Sequence, residues 1–242
     1  MDRAAMRTRR RERWLQRAER ARDAFGLVFA LVLVTYVLTS LLTNRGWGAV
    51  TITVATSVTS VVALTSAHVK ARTVRLAIQL SIATVLLAIV EAITGQHLFL
   101  DLASLIQMAL LVMAMAAVLA RVVSTVSVGS RTILGALSVY AALGLVFTYL
   151  YGTIDRLQPG PFFEGVAHPS GSDFLFFSYT TLTTTGYGDL VPGSQPGRMV
   201  TGLEMMLGQI FLVTLVAGLV SLWRPGEALR RRREQRAAGD RA

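Results

Sequence analysis

The stretch Thr183-Thr184-Thr185-Gly186-Tyr187-Gly188-Asp189 sets the reading of the whole chain. Phe176-Phe177-Ser178-Tyr179-Thr180-Thr181-Leu182 precedes it, and Leu190-Val191-Pro192 follows. Two glycines flanking an aromatic residue, with threonines before them, suit a backbone whose successive carbonyl oxygens face one way. Residues alternating between left- and right-handed conformations achieve this, and glycine enters the left-handed region without a Cβ penalty. Gly-Tyr-Gly alone is a common turn. The longer string, lying between two hydrophobic runs, is that of a loop re-entering a membrane.

The chain around it is 53% hydrophobic with a mean hydropathy of +0.54, the composition of a membrane protein rather than a soluble domain. Crossing a bilayer takes about 20 apolar residues, and six runs qualify: Phe25–Leu42, Ala49–Ala67, Val74–Ile93, Leu98–Val118, Ile133–Tyr151 and Met199–Trp223. None contains proline, so an all-α membrane protein with six transmembrane helices is expected. Residues 1–24 carry nine arginines against four acids. Trp14 and Leu15 among these arginines suit a helix lying on anionic headgroups. A secretory signal would need a small-residue cleavage site after the first apolar run, and none follows. Beside six spans, nucleic-acid binding by the arm is not expected. The basic tail 224–242 is too short for a regulatory domain with its own core.

Arginine placement orients the spans. With both termini inside, 21 of the 24 basic residues fall on the cytoplasmic side, leaving Arg45, Arg156 and Arg198 outside. The outer segments then hold Glu91, Asp101, Asp155, Glu164, Asp173 and Asp189, a negative face that would concentrate cations. Glu91 and Asp101 can equally mark helix ends.

The threonine-glycine string resembles the selectivity filter of potassium channels, Thr-Val-Gly-Tyr-Gly in the family. Thr185 stands where valine is commonest, which adds a hydroxyl that needs a partner. The resemblance is to the prokaryotic potassium channel family, tetrameric cation channels with a pore loop, and covers residues 133–223. It implies a pore domain with outer helix 133–151, pore helix 173–183, filter 184–188 and inner helix 199–223. By that resemblance the carbonyls of Thr184, Thr185, Gly186 and Tyr187, next to Gly188, together with the Thr184 hydroxyl, replace the water shell of K+. The Tyr187 ring would brace the filter. Phe176 and Phe177 occupy positions where many relatives carry tryptophan. Asp189 sits at the outer mouth, and Thr180 replaces a pore-helix glutamate that some relatives pair with it. One loop cannot enclose a pore, so a homotetramer is implied. Gly208, ten residues past Arg198, is a candidate gating hinge, or a site of close helix packing.

Other readings rest on the residues themselves. Ser172 offers an N-cap for the pore helix, with Asp173 complementing the helix dipole. Tyr149 and Tyr151 suit the outer interfacial belt. Glu204 is ionisable well inside a span, where such residues are costly and usually functional. It is expected to hydrogen-bond Thr180, Thr181 or Thr185 behind the filter, or else to face headgroups. Gln79 and Gln107 suit bonds between helices, and Met108, Met113 and Met115 suit packing. Cysteine is absent, the three histidines are scattered, and no hydrolase triad or phosphate-binding loop appears, so no enzyme is expected.

The six-span layout with a pore loop also resembles voltage-gated channels, yet the fourth span, from Asp101, has its basic residue, Arg121, only at its inner end. At about 2.3 kcal/mol per charge per 100 mV, such a helix gives voltage little to pull on, so residues 25–120 form a four-helix domain without sensor charges. The function expected is passive potassium conduction across the plasma membrane, with a bacterial source suggested by 23 arginines to one lysine. A weakly selective cation channel of the same build is the alternative. An ion-transporter subunit is another, although such chains carry four degenerate pore repeats and one is found here.

Overall fold

The computed structural model describes residues 25–43, 45–124 and 130–222. The basic arm 1–24 and the tail 224–242 lie outside the described residues. Among the described residues the helices are α1 (Phe25–Leu41), α2 (Gly46–Ser66), α3 (Ala71–Thr94), α4 (His97–Val123), α5 (Ser130–Leu157), α6 (Gly171–Leu182) and α7 (Gln195–Leu222). Uninterrupted apolar runs explain the long ones, since backbone groups in lipid must be satisfied within the helix. Five of them, α2 to α5 and α7, are long and apolar enough to cross a membrane. The chain is an all-α multi-spanning membrane protein. Helix α1, with 17 residues, covers about 25 Å at 1.5 Å per residue, a little short of the hydrocarbon thickness.

Helix α5 is the seam of the molecule. The first four helices pack on one another, α5 lies against α1 and α4, α6 against α1 and α5, and α7 against α5 and α6. Val28, Val32, Leu64, Leu110, Leu111 and Val118 from the first four helices form one core with Val139 and Leu145 of α5.

Lipid tails are as apolar as leucine, so helices in a bilayer associate through close packing and polar contacts. Helix α2 buries Thr53, Thr56, Ser57, Thr59 and Ser60. Thr59 meets Thr35 of α1 at 3.0 Å and Thr56 meets the Tyr149 hydroxyl of α5 at 3.1 Å. Gln107 of α4 donates to the Thr53 carbonyl and to Ser57 Oγ, both at 2.9 Å. Gln107 therefore joins two helices as expected, whereas Gln79 is exposed. Met108, Met113 and Met115 pack against the core.

Most acids of the expected negative face also have partners in the fold. Glu91 is buried and accepts the Gly46 amide at 3.2 Å, capping the start of α2. Asp101 pairs with Arg156 at 2.7 Å and Glu164 with Arg198 at 2.8 Å. Asp155 accepts the Phe162 amide at 2.8 Å, and Asp173 caps α6. Five of the six acids thus hold helix ends and loops in place. Asp189 is exposed.

Candidate functional site

Residues 158–170, between α5 and α6, do more than connect. Phe162 and Phe163 are fully buried, packed among Tyr151, Phe174 and Phe177 with ring centroids 5.0–5.3 Å apart in the closest pairs. The same segment is tied to the chain beyond Gly188. The Glu164 amide donates to the Val191 carbonyl and the Gly193 amide to the Phe162 carbonyl, each at 2.9 Å. The Arg198 guanidinium adds a bond to the Pro192 carbonyl at 3.0 Å and its pair with Glu164.

Helix α6 opens on a capping box. Ser170 Oγ accepts the Asp173 amide at 3.3 Å, and Asp173 Oδ2 accepts the Ser170 amide at 2.7 Å. This corrects the expectation for Ser172, which lies two residues too late, inside the first turn, and instead meets Ser170 Oγ at 2.8 Å. A cap must precede the first helical residue, and the spacing Ser-x-x-Asp satisfies two orphan amides at once.

At its other end the helix closes on itself. The Thr183 amide donates to the Tyr179 carbonyl and the Thr184 amide to the Thr181 carbonyl, both at 3.0 Å. The Thr180 carbonyl takes the amides of Thr185 (2.8 Å) and Gly186 (3.1 Å), and the Leu182 carbonyl takes the Tyr140 hydroxyl (3.1 Å). The chain leaves this knot with Thr184, Gly186 and Gly188 at φ of 58°, 49° and 80°. Left-handed residues thus recur at every second position, the alternation expected from the two glycines, with Thr184 joining them. A left-handed residue other than glycine costs about 1–2 kcal/mol. Two bonds at the Thr184 hydroxyl help to offset that cost: it donates to the Thr183 carbonyl at 2.7 Å and accepts from Gln209 Nε2 at 3.4 Å. The extra hydroxyl of Thr185 finds Thr183 Oγ1 at 2.9 Å.

Phe176 and Phe177 diverge. The exposed Phe176 ring stacks on Tyr187, centroids 5.8 Å apart and nearly parallel, so Tyr187 leans on its own α6. Phe177 is buried in the aromatic cluster. Thr180 donates back to the Phe177 carbonyl at 3.0 Å.

Glu204 is fully buried, which excludes the headgroup-facing position. Its Oε1 accepts Ser178 Oγ at 2.6 Å and its Oε2 accepts the Tyr151 hydroxyl. The expected partners Thr180, Thr181 and Thr185 are corrected to Ser178 and Tyr151. The Thr180 and Thr185 hydroxyls turn to α6 and to Thr183 instead. Tyr151 is therefore an interior residue, fully buried, and not part of an interfacial belt; Tyr149 likewise bonds Thr56. Gly208 brings α7 against the end of α6, since a Cβ there would sit 2.7 Å from the Leu182 carbonyl oxygen. Close packing thus accounts for this glycine.

Sequence reasoning missed Ser178, Tyr140, Tyr179 and the role of Tyr151. The Tyr179 hydroxyl reaches the Ala141 carbonyl at 2.6 Å, and Ser178 Oγ also lies 2.8 Å from the Gly144 carbonyl. A signal was present. Tyr140, Gly144, Phe147 and Tyr151 recur at four, three and four residues, one face of a helix, and that face meets α6. Among the described residues no group of three or more His, Cys, Asp or Glu is placed to hold a metal.

A family model described as "Ion channel" matches residues 135–224, less than half of the chain. A cyclic nucleotide-gated potassium channel of Rhizobium etli is 36% identical over 93 residues, 38% of this chain and 24% of that protein. An uncharacterized protein of Methanothermus fervidus is 27% identical over 84 residues, 35% of this chain and 12% of that protein. The chain therefore spans a quarter or less of the length of either relative. This is a multi-pass membrane protein with a distant relationship to ion channels.

Proposed function

We propose that the chain is the subunit of a potassium-selective channel, four copies around one axis, conducting passively across the plasma membrane. In this reading α1 also spans, both termini are cytoplasmic, α6 is the pore helix and α7 the inner helix. The observation that carries it is the left-handed alternation at Thr184, Gly186 and Gly188. Such a backbone turns the carbonyls of Thr184, Thr185, Gly186 and Tyr187 the same way, and four copies would stack them as rings that replace the hydration shell of K+. The relative from Rhizobium etli, whose name is that of a potassium channel, supports the choice of ion. Asp189 stands at the outer mouth, Phe176 with Tyr187 holds the ring width, and Glu204, Thr180 and Phe177 support the filter from behind.

The exposed apolar face of α7, with Met199, Leu203, Met206, Leu207, Ile210 and Val213, is available to neighbouring subunits and lipid. Helix α4 carries Arg121 in its last turn and no arginine or lysine above it, so conduction is not voltage-gated. Liposomes holding the purified protein and loaded with potassium should take up radioactive rubidium, and excess external sodium should not compete. Absence of uptake, or equal competition by sodium, would count against potassium selectivity.

A further inference from the structure

A crevice of about 730 Å³ opens between the four-helix unit and the pore unit, at the end of the molecule that bears the 158–170 loop. That volume lies within the range of small-molecule sites, about 300–1,000 Å³. One wall is Ile52, Thr53 and Ala103; the other is Leu145 and Tyr149 of α5, with Phe174 of α6.

Gln107 also lines the crevice and is 1% exposed. Its amide orientation is fixed, because Nε2 donates to the Thr53 carbonyl, a group that only accepts. Gln107 Oε1 is thus a buried acceptor, and it finds no partner among the described residues. A buried unsatisfied oxygen costs about 1–3 kcal/mol, so the site gains whenever a donor reaches it.

The charge pattern decides which donor. Asp101 and Arg156 in the crevice neutralise each other at 2.7 Å, its other lining charges, Arg45 and Asp155, are one of each sign, and the groups beside Gln107 are a carbonyl and a serine hydroxyl. An ammonium bonded to Gln107 would find no carboxylate among the groups bonded to that amide, and burying an unpaired charge is far costlier than burying a hydroxyl. Aliphatic and aromatic walls suit an apolar body.

We propose that this crevice binds a neutral amphiphile bearing a hydroxyl, which donates to Gln107 Oε1 while its apolar body lies between Ala103 and Tyr149. Because its walls belong to both units, such a ligand has a hold on each; binding itself does not depend on the channel reading.

The test is photolabelling of the full chain in phosphatidylcholine nanodiscs, a lipid without hydroxyl donors, using the diazirine alkanol 3-azioctanol. Adducts should map to Ile52, Ala103, Leu145 or Tyr149 and be displaced by excess 1-octanol. Gln107→Leu should weaken labelling about three- to tenfold, the loss of one net hydrogen bond. Ala103→Phe, which fills the crevice while keeping the Gln107 amide in the chain, should abolish it, with an unchanged elution volume showing that the protein remains folded. Adducts confined to exposed residues such as Ile82 and Leu86, or labelling equal to wild type in both variants, would overturn the proposal. Labelling that occurs without any ion flux would leave the site standing and sink only the channel reading.

Discussion

Ser178 Oγ on α6 lies 2.6 Å from Glu204 Oε1 on α7, and both side chains are fully buried. With the Tyr151 hydroxyl on the second carboxylate oxygen, one side chain joins three helices behind the Gly-Tyr-Gly loop. The two hydroxyls differ in their alternatives. Ser178 also lies 2.8 Å from the Gly144 carbonyl and can turn its single proton there. Tyr151 has the Thr201 hydroxyl as its further side-chain partner, so Glu204→Ala leaves each hydroxyl one weaker alternative. The expected loss is about 1–3 kcal/mol per subunit, read as a lower thermal unfolding midpoint and a less heat-resistant oligomer. Glu204→Gln, which keeps an acceptor oxygen, should be milder. Alanine protein matching wild type would show that this carboxylate braces nothing.

Tyr151→Phe removes one of those donors while its ring stays in the aromatic cluster. Since Tyr151 and Glu204 share one bond, their effects should not add. The double variant with Glu204→Ala should be less destabilised than the two single losses combined, by roughly 0.5–3 kcal/mol. Strict additivity in thermal unfolding would contradict the shared bond.

Gly208→Ala would push a methyl against the Leu182 carbonyl, 2.7 Å away. Overpacking of this kind costs about 1–3 kcal/mol. Gly202 on the same helix meets nothing within 4 Å, so Gly202→Ala should be neutral or gain up to about 1 kcal/mol from helix propensity. Comparing the unfolding midpoints of the two variants separates close packing from a hinge. Equal behaviour would remove the packing account.

How far the sequence could be read follows from what each signal depends on. Spans and the alternating loop depend on local pattern: apolar runs, the absence of proline, and glycines two apart. Those features stand in the structure from Gly46 to Leu222, with α1 shorter than its companions. Partners of buried polar groups depend on which faces meet, and that is not local. Tyr151 looked like a belt residue because it ends an apolar run, but its ring packs against Phe162 and Phe177 and its hydroxyl meets Glu204, which places it in the interior. Glu204 was matched to nearby threonines on hydroxyl chemistry alone, although Thr180 and Thr185 had closer acceptors within their own segment. Phe162 and Phe163 were hidden by the prolines and glycines around them.

Voltage should matter little to the proposed pore. A conductance–voltage relation from roughly −100 to +100 mV, the range over which several gating charges act steeply, should be close to flat. A sigmoid equivalent to two or more charges would refute the reading of α4.

The central claim is that the loop Thr184–Gly188 selects potassium, and the reversal potential of purified protein in a planar bilayer tests it most directly. With potassium on one side and sodium on the other, the potential should lie far from zero, in the direction that opposes potassium flow. Gly186→Ala should bring it toward zero, because alanine at a φ of 49° costs about 1–2 kcal/mol in each subunit and disturbs the carbonyl rings. A wild-type potential near zero would contradict the claim and leave a weakly selective cation channel in its place.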